Sequence, residues 1–152
     1  MAIEFRLDKF LKLREAERDG KKIIFLSAQN LVHESQNQLQ TCMENLTRNH
    51  EETRQIRSSP ILDANELKQR NFFHSRLSTH FEEVQNKLLT NQANADLKQS
   101  ELNEAVKNVK VLQTLKEKNN ERYLEETRHR SDRNTDELTS QQKFLEHQKT
   151  NH

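Results

Sequence analysis

The chain holds one glycine, Gly20, one proline, Pro60, and no tryptophan among its 152 residues. Chains that turn often need glycine and proline at their reversals, so this scarcity points to very long, uninterrupted helices. One glycine also cannot build a glycine-rich phosphate loop. The single cysteine, Cys42, excludes an internal disulfide framework and fits a reducing compartment. Hydrophobic residues make up only 31%. That is too few for a compact three-dimensional core, but enough for a narrow seam between two helices. No stretch approaches the roughly 20 apolar residues of a membrane span. The N-terminus carries Glu4 and Asp8 where a signal peptide needs an apolar run, so a cytoplasmic protein is expected. Twenty-five basic residues against 24 acidic ones leave a net charge of +1, which gives a nucleic-acid-binding stripe no compositional support.

What is present is a sustained heptad pattern. Steps of three and four residues from Leu67 pass through Arg70, His74, Leu77, Phe81, Val84, Leu88, Asn91, Ala95, Lys98, Leu102, Ala105, Val109 and Leu112. A spacing averaging about 3.5 residues keeps one apolar stripe on one side of a helix, and such a stripe buries itself only against another helix. Disorder, the competing reading of so polar a chain, predicts no sustained phase. The first half carries a matching seam at Phe25, Ala28, Val32, Ser35, Leu39, Cys42, Leu46, Asn49, Thr53 and Ile56. Before Gly20 the apolar residues Ile3, Leu7, Phe10 and Leu13 form a separate stripe, and Ile23 and Ile24 mark the join, so a phase shift is expected near Gly20.

Ser58-Ser59-Pro60 stops the first helix, because the residue before proline avoids the helical region and proline lacks a donor. Asp63 with Glu66 three residues on reads as an N-cap and capping box, and Leu62 with Leu67 as the accompanying hydrophobic staple. So short a connection forces two long helices antiparallel. The expected fold is all-α: a long two-helix antiparallel coiled-coil hairpin with a C-terminal helical overhang, in a single domain over 1–152. Helix 1 runs from about 5 to 57, the tip covers 58–63, and helix 2 runs from about 64 to 147. Paired positions should sum to about 122, so nothing in the first helix can cover Glu117 to Gln148. Glu121, Arg122, Glu125, Glu126 and Arg128 offer ion pairs there, each worth only about 0.2–0.5 kcal/mol, so this overhang should fray or dock.

Seven histidines, His33, His50, His74, His80, His129, His147 and His152, contain no pair at i, i+4 on one helical face, and no metal site is expected. A two-helix coiled coil offers no concave site that excludes water, so neither enzymatic activity nor a cofactor is expected. Function should then lie on the surface. Arg70, His74, Asn91 and Lys98 interrupt the seam, and polar seam positions fix register. Phe72 and Phe73 are adjacent and cannot both enter a narrow seam. Phe73 falls beside it and Phe72 points further out, which makes them, with Leu77, candidate anchors for a partner.

The opening Phe5-Arg6-Leu7-Asp8-Lys9-Phe10-Leu11-Lys12-Leu13-Arg14-Glu15-Ala16-Glu17 resembles the start of the flagellar type III export protein family FliJ. The segment Asn71-Phe72-Phe73-His74-Ser75-Arg76-Leu77 is similar to the family's Tyr-Gln-Gln-Phe-x-x-x-Leu stretch early in its second helix. Leu115-Lys116-Glu117-Lys118, Tyr123, Glu126 and Asp136-Glu137 are similar to its charged C-terminal pattern. The resemblance covers nearly the whole chain. It implies a rod like the γ stalk of rotary ATPases, sitting in the hexameric export ATPase, promoting its assembly or activity and linking it to the membrane export gate. Export chaperones are possible further partners. The family's gate-contacting residues map to Phe73 and Leu77, with Phe72 beside them. The ATPase-facing end maps to Phe5, Leu7, Phe10, Leu13, Tyr123, Glu126, Asp136 and Glu137. A peripheral position on the cytoplasmic face of the inner membrane and a role in motility follow from the same resemblance. Two other readings stay open: the related YscO-type stalk of virulence secretion systems, and a structural coiled-coil spacer with no motor partner.

Overall fold

A computed structural model describes residues 5–150. Ile3 and His152, singled out above, lie outside that range. The fold is all-α: α1 spans Asp8–Arg57 and α2 spans Ala64–Thr150, and no strand occurs among the described residues. The two helices pack against each other as a helical hairpin. The chain divides into two compact units, Glu17–Ala105 on the one hand, and Met1–Ala16 with Val106–His152 on the other.

In the Glu17–Ala105 unit the reversal is built as its residues dictate. The Ser58 and Ser59 amides donate to the Arg54 and Ile56 carbonyls at 3.1 and 3.2 Å, closing α1 ahead of Pro60. Asp63 caps α2: its Oδ1 accepts from the Asn65 amide at 3.0 Å, and its carbonyl accepts from Leu67 at 3.1 Å. That carboxylate satisfies one of the amides that a helix start leaves without an intrahelical partner. The staple contributes little, because Leu62 stays 60% exposed.

The seam of this unit follows the heptad pattern. In α1 every position from Phe25 to Ile56 on the list above is buried or half-buried. The fully buried ones, Ala28, Ser35, Cys42 and Asn49, recur every seven residues and are all small or medium in size. Larger Phe25, Val32, Leu39 and Leu46 alternate with them and remain half-covered. Small side chains at one seam position let two helices approach closely, since interaxial distance is set by the groups at the contact. From α2, Val84 and Ala95 complete the buried set.

Polar groups flank or interrupt this seam, and most are paired across it. Arg70 bonds Glu52, with residue numbers summing to 122. Lys21 Nζ reaches Glu101 at 3.3 Å, again summing to 122, and Lys98 lies 3.6 Å from the same carboxylate. Asn91 Nδ2 donates to Ser35 Oγ at 2.7 Å, summing to 126. Of the four seam interruptions, His74 departs from expectation: it is exposed, whereas the other thirteen positions of the α2 seam are at least partly covered.

The phase shift expected near Gly20 does not occur. In the unit that holds the start of α1, Leu11 is buried at 5% exposure, while Phe10 and Leu13 are 58% and 55% exposed. Leu7 and Glu15 are half-covered there, as are Arg18 and Lys21 in the neighbouring unit, and steps of three or four residues lead on to Phe25 with the same average spacing. Long polar side chains can lay their aliphatic stems along a seam with their charged ends in water, so the phase persists where apolar residues do not mark it. Ile23 and Ile24 accordingly stay out of the seam, at 69% and 46% exposure. Gly20 sits in the helix without a positive φ, and nothing lies within 4 Å of where its Cβ would be.

Val109 and Phe5 complete the buried apolar set of that same unit. Phe5 precedes α1 in a turn, its carbonyl accepting from the Asp8 amide at 2.9 Å. Asp8 Oδ1 accepts from Lys116 Nζ at 3.1 Å, and Lys12 stands 3.6 Å from Oδ2. From Glu121 to Thr150 every residue is exposed, and α2 is helical to Thr150. The ion pairs that Glu121, Arg122, Glu125, Glu126 and Arg128 offer do not form within 4 Å. Pairs so exposed gain almost nothing over solvated charges.

Candidate functional site

In the Glu17–Ala105 unit the candidate anchors lie early in α2. Phe72 is 67% exposed, Phe73 is 49% exposed and Leu77 is half-buried. This ordering follows from helical rotation. Leu77 belongs to the seam, Phe73 stands four residues before it on the edge, and Phe72 is turned a further 100° or so away. Phe73 and Leu77 line one open hollow with Arg76, Thr79, His80 and Glu83, in which His80 Nδ1 lies 3.9 Å from Glu83. Phe72 does not line it. Ile61 and Leu62 at the tip are also largely exposed, at 83% and 60%. Apolar groups of this size held in water on one stretch of helix lose hydration when a partner covers them, which is the property of an interface anchor.

The residues expected to face an ATPase ring all fall in the other unit, where they divide. Phe10, Leu13 and Tyr123 are exposed at 58%, 55% and 44%, and Glu126, Asp136 and Glu137 are exposed as well. Phe5 does not: at 8% exposure it packs within its own unit and offers no surface. Leu7 is half-covered as a seam residue. The exposed overhang adds Leu124, Leu138, Phe144 and Leu145, all above 50% exposure.

Electrostatics single out two carboxylates. Hydrogen bonding from Lys116, with the charges of Lys116 and Lys12, holds the Asp8 carboxyl below its ordinary range against a smaller opposing effect of desolvation. Hydrogen bonding from Lys21, with the charges of Lys21 and Lys98, does the same for Glu101. Both belong to cross-helix ion pairs that fix register, not to a reactive centre. Among the described residues no three His, Cys, Asp or Glu side chains gather as a metal site, and the six described histidines are all exposed. Among the described residues no helix is long and apolar enough to cross a membrane.

One feature escaped the sequence pattern. His50, Arg54 and Arg57 of α1 line a single groove with Asn71 and His74 of α2, although no run of sequence joins them. The only signal available beforehand was the pair of arginines in the last turn of α1.

Two long helices packed as a hairpin, with polar bridges across the seam, define a coiled-coil protein. Its sequence matches the family described as flagellar FliJ protein over residues 3–149, and the chain belongs to that family. It is therefore a flagellar export-related protein, with partners in the flagellar export apparatus. No curated protein and no solved structure matches it.

Proposed function

We propose that this chain is the stalk-like subunit of the flagellar export apparatus, engaging the hexameric export ATPase, promoting its assembly or turnover, and linking it to the membrane export gate. Family membership over residues 3–149 is the observation that carries this reading. The exposed Phe72 and Phe73, with Leu77 beside them, support a gate contact through early α2. Exposed Phe10, Leu13 and Tyr123, with Glu126, Asp136 and Glu137, support an ATPase-facing surface in the other unit. The protein then acts in the cytoplasm, at the inner face of the membrane, by contact and not by chemistry.

The test is reconstitution with the purified export ATPase and the cytoplasmic part of the gate. The chain should co-migrate with the ATPase hexamer and raise its turnover. Phe73→Ala with Leu77→Ala should abolish gate binding while leaving the ATPase effect in place. A chain that binds neither protein overturns the proposal. Binding only to the corresponding ATPase of a virulence secretion system would reassign it to that stalk. A self-associating spacer is favoured by one observation, the exposed Leu124, Leu138 and Leu145 at multiples of seven residues. Light scattering that showed mass rising with concentration would select that reading.

A further inference from the structure

We propose that the polar groove beside the tip is a binding site for a small oxyanion of the carboxylate or phosphate class. The groove lies within the Glu17–Ala105 unit, has a volume of about 470 Å³, and is lined by both helices. From α1 come Asn49, His50, Thr53, Arg54, Arg57 and Ser58, and from α2 come Asn71 and His74. It shares no lining residue with the hollow at Phe73 and Leu77, so the assignment stands apart from the gate contact proposed above.

Three observations carry it. The first is charge. His50, Arg54 and Arg57 fall at i, i+4 and i+7, which places them along one face of α1 over about 10 Å. His74 faces the same space from α2, and no Asp or Glu lines the groove. Arg54 is engaged only at 3.9 Å, by Glu51 outside the lining, and Arg57 has no ion pair within 4 Å among the described residues. The second is donor supply. Thr53 and Ser58 spend their hydroxyl protons on the Asn49 and Arg54 carbonyls, at 2.7 and 3.0 Å. Their oxygens are thus acceptors, and the free donors are the guanidinium groups, the Asn71 amide and the imidazoles. Arginine forks match the paired oxygens of carboxylate and phosphate.

The third observation is Asn49. It lines the groove at 3% exposure, and neither its Nδ2 nor its Oδ1 has a hydrogen-bond partner. Buried amides are nearly always paired, so an orphan beside a basic groove marks an incomplete polar network. An oxyanion held by Arg54 and Arg57 offers an acceptor to the Asn49 Nδ2. The competing account gives the arginines a purely local task, compensating the negative end of the α1 dipole. That account predicts no ligand.

Isotope-labelled full-length protein, titrated separately with inorganic phosphate, acetate and chloride at constant ionic strength, tests the site. The Asn49 side-chain amide and the His50 and His74 ring resonances should shift and saturate. The shift should be lost in Arg57→Gln and in Arg54→Gln/Arg57→Gln, both retaining wild-type helix content by circular dichroism. Saturation by phosphate alone assigns a free phosphate-type ligand. Saturation by acetate assigns a carboxylate-type ligand. Shifts that never saturate, that chloride reproduces, or that persist in the arginine variants overturn the proposal. Should the double variant lose helix content, Arg57→Gln alone decides.

Discussion

Asn91 Nδ2 donates to Ser35 Oγ at 2.7 Å, and Ser35 in turn donates to the Leu31 carbonyl at 2.9 Å. This relay puts a polar layer into an otherwise apolar seam, with Ser35 only 2% exposed. A one-turn slip of α2 along α1 separates the pair and takes the Asn91 amide away from its acceptor, so the bond selects one register. Asn91→Ala should lower stability by about 0.5–1.5 kcal/mol, read from the urea midpoint. Asn91→Leu with Ser35→Ala should recover most of that loss, because it removes both polar partners together. If the double variant is as unstable as the single, the bond has no special part in the seam.

Asn49 is the counterpart without a partner. Replacing it by leucine, close to it in shape, should raise stability by about 1–3 kcal/mol, since the orphaned amide no longer has to be desolvated. Thermal unfolding in phosphate-free buffer makes the measurement. A lower midpoint would show that the carboxamide is hydrogen-bonded in solution.

Gly20 lies in mid-helix with open space where a side chain would sit. Gly20→Ala should stabilise the protein by about 1 kcal/mol without altering its partners. Unchanged or reduced stability would mean that α1 bends there in solution.

Asp8 and Glu101 are both held below their ordinary carboxyl range by lysine partners. A group whose native pKa is depressed contributes stability that is fully present above its unfolded value, near pH 4, and is lost as pH falls through the native value. Stability should therefore decline below about pH 4. Lys116→Met with Lys21→Met should flatten that decline while leaving the seam intact. An acid profile indifferent to both substitutions would assign it to other carboxylates.

Phe72 and Phe73 are exposed, whereas Leu77 is half-buried. Phe72→Ala and Phe73→Ala should change unfolding free energy by less than about 0.5 kcal/mol, so any loss of partner binding reports on contact alone. Leu77→Ala should weaken folding as well, and its binding defect must be read with that in mind. A large destabilisation by Phe73→Ala would place its ring in the seam.

Much of this molecule was legible in its residues. Two helices, the reversal at Ser58–Asp63 and the approximate register follow from heptad spacing, one proline and one cap, because each is a local rule that acts wherever the pattern occurs. The start of α1 shows where that reasoning stops. Leu7, Phe10 and Leu13 form one apolar stripe in the sequence, but the helix turns Leu7 and Leu11 inward, leaves Phe10 and Leu13 exposed, and lets Glu15, Arg18 and Lys21 carry the phase. Only packing against α2 decides which of two apolar stripes is buried, since one helix presents both equally. The basic groove was hidden for a related reason: His50 and His74 come from different helices, and their proximity exists only once the chain has folded back. Sequence periodicity therefore determined that this chain forms a hairpin. The tertiary fold decided which side chains the hairpin leaves in water, because burial depends on the facing helix and not on the residue alone.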